Sequence, residues 1–88
     1  MSDLTKLKNI GEVSAGWLEE LGITSAKDIE EFGIYNIFDE LQQRGYGVTV
    51  ILIYALQGAL MDIHWNELPK EVKKEIDREM RTLGIISK

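Results

Sequence analysis

The residues best equipped for chemistry are His64, set between Asp62 and Glu67, the hydroxyl of Ser14, and the short stretch from Lys6 to Val13. An imidazole beside two carboxylates has the ingredients of a general base or a metal site. His64 is the single histidine, however, and without a second strong ligand it makes a poor site. A structural role is the preferred reading: His64 and Asn66 tie the end of one helix to the start of the next, and Trp65 fills the gap between them. Ser14 has no histidine near it in the chain and no oxyanion-hole motif beside it, so nucleophilic catalysis is not expected. Cysteine is absent, which excludes disulfides, thiolate metal sites and thiol chemistry. The expectation is a non-enzymatic chain with no cofactor and no metal.

The stretch Leu7-Lys8-Asn9-Ile10-Gly11-Glu12-Val13-Ser14-Ala15-Gly16-Trp17-Leu18 fits a helix-hairpin-helix pattern. An apolar-x-Gly turn is followed by Ala four residues on and by an apolar residue three beyond that. Gly11 is expected to permit the sharp turn and Ala15 to let two helices cross closely, while the amides opening the second helix point outward toward a possible phosphate oxygen. Candidate phosphate contacts are Lys6, Lys8, Asn9, Gly11 and Val13. Asn9 occupies a turn position where glycine is usual in nucleic-acid-binding hairpins, and asparagine tolerates the left-handed conformation. Glu12 sits at the mouth of the would-be anion site, where its charge suits the helix dipole but repels phosphate. The same turn also serves as plain packing, and that is the preferred reading.

Helices must carry these side chains, because apolar residues recur at three- and four-residue spacing and a glycine stands where each run stops. Six short helices are predicted. Ser2 caps a first one presenting Leu4 and Leu7. The second runs from about Glu12 to Leu21 with Val13, Trp17, Leu18 and Leu21 on one face, and Gly22 follows its end. Ser25 opens a third at Ala26, with Asp28 completing a capping box; it buries Ile29 and Phe32 and stops at Gly33. A fourth carries Ile34, Ile37, Phe38 and Leu41 as far as Arg44-Gly45. Tyr46, between two glycines, is the aromatic expected to be exposed, whereas Trp17 and Tyr54 follow buried faces.

Thr49 caps the most apolar stretch, Val50 to Trp65, which is predicted to be a central helix surrounded by the others. A membrane span would need about 20 apolar residues without the interruptions at Gln57, Asp62 and His64. Gly58 and Ala59 in its interior are small, so a neighbouring helix is expected to approach closely there. The last helix is predicted to open at Pro69 and to bury Val72, Ile76, Met80 and Leu83, with ion pairs Glu71/Lys74, Glu75/Arg78 and Asp77/Arg81 on its wet face.

A chain of 88 residues is expected to form one domain spanning 1–88, burying only about 60–65% of the surface its unfolded form exposes. With 44% hydrophobic and 28% charged residues it has the composition of a folded globule. The first residues, Met1 to Lys6, carry no apolar run of signal-peptide length, so a cytoplasmic location is expected. Net charge is −5, which disfavours functions that rest on bulk attraction to nucleic acid or anionic lipid. The predicted fold class is all-α: a compact orthogonal bundle of five to six short helices around a central apolar helix, opened by the hairpin.

Four segments extend the pattern: Leu7 to Gly11, Gly22-Ile23 followed by Asp28, Leu52-Ile53-Tyr54-Ala55-Leu56-Gln57-Gly58-Ala59-Leu60, and His64-Trp65-Asn66-Glu67-Leu68-Pro69. Taken together, they resemble the C-terminal domain of the TfoX/Sxy competence regulators, over residues 4 to 80. The signature residues are Ala15, Trp17, Gly58, His64, Trp65, Asn66 and Pro69. The resemblance implies an all-helical fold with a helix-hairpin-helix-like part and a competence role, since full-length members of that family, which carry a further N-terminal domain, promote expression of genes for DNA uptake and natural transformation. Glu12 departs from the Pro or Lys frequent in similar sequences. The leading functional expectation is a regulatory module that docks on a protein partner; weak, sequence-independent DNA binding through the hairpin is the alternative. Small helical domains gain burial by pairing, so a homodimer through the last helix or the hairpin is also compatible with the sequence.

Overall fold

Each predicted helix from Glu12 onward forms in this computed structural model, which describes residues 4–85. The described residues hold α1 (Glu12–Glu20), α2 (Ala26–Phe32), α3 (Ile34–Gln43), α4 (Val50–Met61) and α5 (Lys70–Thr82), with 3-10 turns at Leu4–Lys6 and Trp65–Glu67 and no strand. The leading arm of the expected hairpin is thus a single 3-10 turn in place of a helix, and the Ser2 cap lies outside the described residues. The radius of gyration is 12.3 Å, close to the roughly 12 Å expected of a compact chain of this length.

Four of the five described helices, all but α2, end by one chemistry. At Ile23, Tyr46, Ile63 and Ile85 the amide donates back five residues, to the carbonyls of Leu18, Leu41, Gly58 and Met80, at 2.8–3.2 Å. Such a closure requires a left-handed residue just before the donor. Gly22, Gly45 and Gly84 supply it with φ of 83, 91 and 78°, as their positions in the sequence suggest. At the end of α4 the residue is Asp62, with φ 60° and ψ 42°. The central helix therefore stops at Met61, four residues short of the predicted Trp65, because an aspartate does what glycine does elsewhere.

Starts are less uniform. Ser25 Oγ accepts from the Asp28 amide at 3.2 Å, as expected of an N-cap. The returning carboxylate of Asp28 accepts from the Thr24 amide at 3.0 Å and the Thr24 hydroxyl at 3.2 Å, one residue earlier than the predicted box. The Thr24 amide, followed by the hydroxyls, holds the Asp28 carboxyl below its ordinary pKa against a partial offset from burial. Thr49 stands at the N-cap of α4 without a side-chain cap bond, and Pro69 stands at the N-cap of α5, one residue ahead of the helix.

The core lies around α4, which packs against α2, α3, α5 and the Trp65–Glu67 turn. Ile53 and Leu56 of α4 are fully covered, together with Leu4, Leu18, Ile29, Ile37 and Leu41. Burying a side chain of this size stabilises by about 1.5–3 kcal/mol, so these residues dominate the fold. Two residues that fit the predicted stripes are not in the core: Val13 is 68% and Leu83 55% exposed. Both sit near the end of an element, beyond the reach of the packed neighbours, where periodicity continues but burial does not. On α5 the pairs Arg78–Glu75 (3.2 Å) and Arg81–Asp77 (2.8 Å) form. Glu71 and Lys74 stay unpaired among the described residues.

Candidate functional site: a cleft beside the central helix

The first turn, the start of α1 and the end of α4 are joined by one side chain. Asn9 takes a left-handed φ of 72°, and this directs its amide inward. Nδ2 donates to the Ala55 carbonyl at 3.2 Å and to the Ile63 carbonyl at 3.0 Å. Oδ1 accepts from the Trp65 amide at 3.1 Å. Gly58 makes room for this clamp, since a Cβ there would stand 2.5 Å from Asn9 Nδ2 and 2.7 Å from the Ile63 oxygen. The backbone at Gly58 is closely approached, but by an asparagine side chain and a backbone turn and not by the neighbouring helix predicted there.

The clamp sets His64 and Trp65 along one wall of a cleft of about 470 Å³. The opposite wall comes from α1, through Ser14 and Trp17, and from Gly47 to Thr49; the buried Leu52 and Ala55 of α4 form the floor and the exposed Ile51 stands at the rim. A second set of contacts steadies the α1 side. The Trp17 and Tyr46 rings pack with centroids 5.2 Å apart, tilted by 31°. The Tyr46 hydroxyl donates to Glu20, and this bond, more than burial, raises its pKa. Arg44 adds Nη1 to Glu20 at 4.0 Å and Nε to Glu40 at 3.6 Å. Tyr46, expected to be exposed, is instead a half-buried strut for Trp17.

Of the residues predicted to meet phosphate, Asn9 is half-buried, turns its side-chain amide to the end of α4 and lines the cleft. Lys6, Lys8, Gly11 and Val13 are exposed and do not line the cleft. Gly11 has φ −95° and ψ −174°, an extended conformation any residue adopts, and a Cβ there meets nothing within 4 Å. The turn is made by Asn9, and Gly11 is only the unfilled N-cap of α1. Ala15 is buried. Asn66 and Pro69 are exposed, and the tie predicted for His64 and Asn66 is made by Asn9; Trp65, 37% exposed, rims the cleft more than it fills a gap.

The cleft holds few groups able to do chemistry. His64 is its one ionisable lining residue. Ser14 lies in the same cleft, yet neither side chain makes a hydrogen bond, and no carboxylate orients the imidazole, so a nucleophile and base are not assembled. Among the described residues no group of three or more His, Asp or Glu is placed to hold a metal ion, and no helix is long and apolar enough to cross a membrane. The lining combines apolar and aromatic residues, Trp17, Val48, Ile51, Leu52 and Trp65, with the polar Asn9, Ser14, Thr49 and His64, and Ile51 is 47% and Trp65 37% exposed.

The family model described as "TfoX C-terminal domain" matches residues 1–80. Two solved structures from Listeria monocytogenes share the fold. One, described as an uncharacterized protein in a triclinic form, superposes with a TM-score of 0.79 at 28% identity, covering 92% of each chain. The other, a protein of unknown function in a tetragonal form, gives 0.76 at 29% identity, covering 91% of this chain and 99% of the other. No curated protein matches the sequence.

Proposed function

The chain belongs to the TfoX C-terminal domain family, and from that premise we propose that it is a non-catalytic, cytoplasmic regulatory module that acts by docking a protein partner in the Trp17–Trp65 cleft. The observation that carries this reading is the composition of the cleft: two tryptophans, exposed Ile51 and a single ionisable group, in a chain of net charge −5. Protein interfaces are depleted of charge and enriched in aromatic residues at their centre, and a pocket of this kind seats an apolar anchor. Control of DNA uptake is the setting that family membership suggests for it.

The test uses a photo-crosslinking side chain at Thr49, on the exposed lip of the cleft, with a control at Lys27 on α2. In cells, a discrete adduct is expected from Thr49 and not from Lys27. Ile51→Glu, a change on an exposed position, is expected to cut its yield by at least about tenfold, because a carboxylate would enter the apolar contact. An adduct equal at both positions, or one that survives Ile51→Glu, overturns the reading.

One observation favours DNA as an alternative partner: α1 begins with no side-chain cap on its amides, and Lys6 and Lys8 are exposed just before it. Anions bind at such helix starts. Glu12→Lys then tightens duplex binding at low salt and steepens its salt dependence by about one counterion. A titration in which neither form binds at protein concentrations on the order of tens of micromolar removes this alternative.

A further inference from the structure

A second groove, of about 490 Å³, runs between the α2–α3 junction, α4 and the first half of α5. Leu60 and Gln57 of α4 line it, whereas Ile51, Leu52 and Ala55 line the tryptophan cleft. At roughly 100° per residue these two sets occupy opposite faces of the helix. Floor and rim differ sharply in kind. The floor is apolar, made by Ile34, Tyr35, Leu60, Val72 and Ile76. The charged residues lining the groove are all acidic: Glu30 on one side, Glu71 and Glu75 on the other.

On α5, Glu71, Glu75 and Glu79 recur every fourth residue and so form one rail along the helix, with rungs about 6 Å apart. Carboxylates spaced this way repel each other, an arrangement that a bound cation relieves. Arg78 partly answers Glu75 from the wet side, but Glu30 and Glu71 make no ion pair among the described residues. The field of the rail reaches the floor. Burial first, then Glu79 and Glu75, push the Tyr35 phenol above its ordinary pKa.

We propose that this groove takes a basic amphipathic helix of a partner protein. Two or three apolar side chains of that helix, one turn apart, fill the floor, while lysines or arginines at four-residue spacing meet Glu71, Glu75 and Glu30. A helix is the matching shape because its own cations repeat at the interval of the rail. The sign of the rim turns away nucleic acid and anionic lipid. The proposal is independent of the tryptophan cleft and adds a second partner on the far side of α4.

The probe is a designed peptide of about 16 residues, long enough to be helical, with leucines on one face and lysines flanking them. Its control has the same leucines flanked by glutamates. The lysine peptide is expected to bind in the range of tens of micromolar, more weakly as salt is raised, and to shift the amide resonances of Tyr35, Leu60 and Val72. The double variant Glu30→Lys with Glu71→Lys, both exposed positions, is expected to weaken it about tenfold while lowering Tm by only about 5 °C, the effect of losing Glu71 from the first turn of α5. Ile51→Glu is expected to leave it unaffected, which separates this groove from the other. The proposal is overturned if the lysine peptide does not bind, if the glutamate peptide binds equally well, or if the double charge reversal has no effect. Shifts confined to the tryptophan cleft, or a change to a dimer as the cause of the shifts, overturn it as well.

Discussion

Gly58→Ala is expected to lower stability by about 2–4 kcal/mol, against its own secondary-structure preference. In an exposed helix interior the exchange of glycine for alanine gains up to about 1 kcal/mol. Here the added methyl would stand 2.5 Å from Asn9 Nδ2, 2.7 Å from the Ile63 oxygen and 3.3 Å from the Trp65 Cα. Two of those atoms are backbone, fixed by the closure of α4, in which the Ile63 amide donates to the Gly58 carbonyl at 2.9 Å. The asparagine is the one neighbour able to swing aside, and doing so gives up its bonds to two carbonyls. In a domain of this size the loss corresponds to a fall in Tm of roughly 10–25 °C. Thermal and urea unfolding read it directly. A Gly58→Ala protein as stable as the parent would show that the pocket under Asn9 is slack.

The second large effect comes from the other partner in that contact. Asn9→Ala removes three hydrogen bonds and leaves an alanine at a φ of 72°. The conformational part costs about 1–2 kcal/mol for a residue with a Cβ, and leaving buried polar groups unmade adds about 1–3 kcal/mol. A loss of about 3 kcal/mol is the expected total. Asn9→Gly separates the contributions, since it keeps the turn and loses only the bonds; it should recover about 1 kcal/mol of the alanine variant's loss. The two sites are also coupled. Combined with Asn9→Gly, Gly58→Ala is expected to cost markedly less than it does alone, because its nearest clash has been deleted. Additive losses in the double-mutant cycle would contradict the clamp.

Most helix boundaries were legible because their signals are local. Ser25 with Asp28, and glycines at 22, 45 and 84, act on residues within five positions, and a reader of the chain meets cause and effect together. The apolar run of α4 was equally plain. Its end was not, since Ile63 and Trp65 continue the periodicity and Asp62 is not the residue that usually takes a left-handed turn. The site was legible in its members and not in its arrangement. Asn9, Trp17, His64 and Trp65 stand out by residue type and place in the chain, but the bonds of Asn9 reach partners 46, 54 and 56 positions away. Nothing near Asn9 in the sequence says whether its amide faces outward or inward. The Tyr46–Glu20 contact spans 26 positions and was hidden for the same reason. Glycine at 11 misled in the opposite direction: its type suggested a strained turn, whereas its backbone is ordinary.

The distance spanned by the asparagine clamp also orders the events of folding. Bringing together groups separated by about 50 residues carries a loop entropy that local helices do not face. The receptor for the Asn9 side chain, moreover, consists of carbonyls and an amide displayed only once α4 has ended at Asp62 and the chain has turned back. The amino-terminal segment therefore seats late, on a nearly finished body, and the time it takes to lock is set by how soon the distant half of the molecule completes its bend.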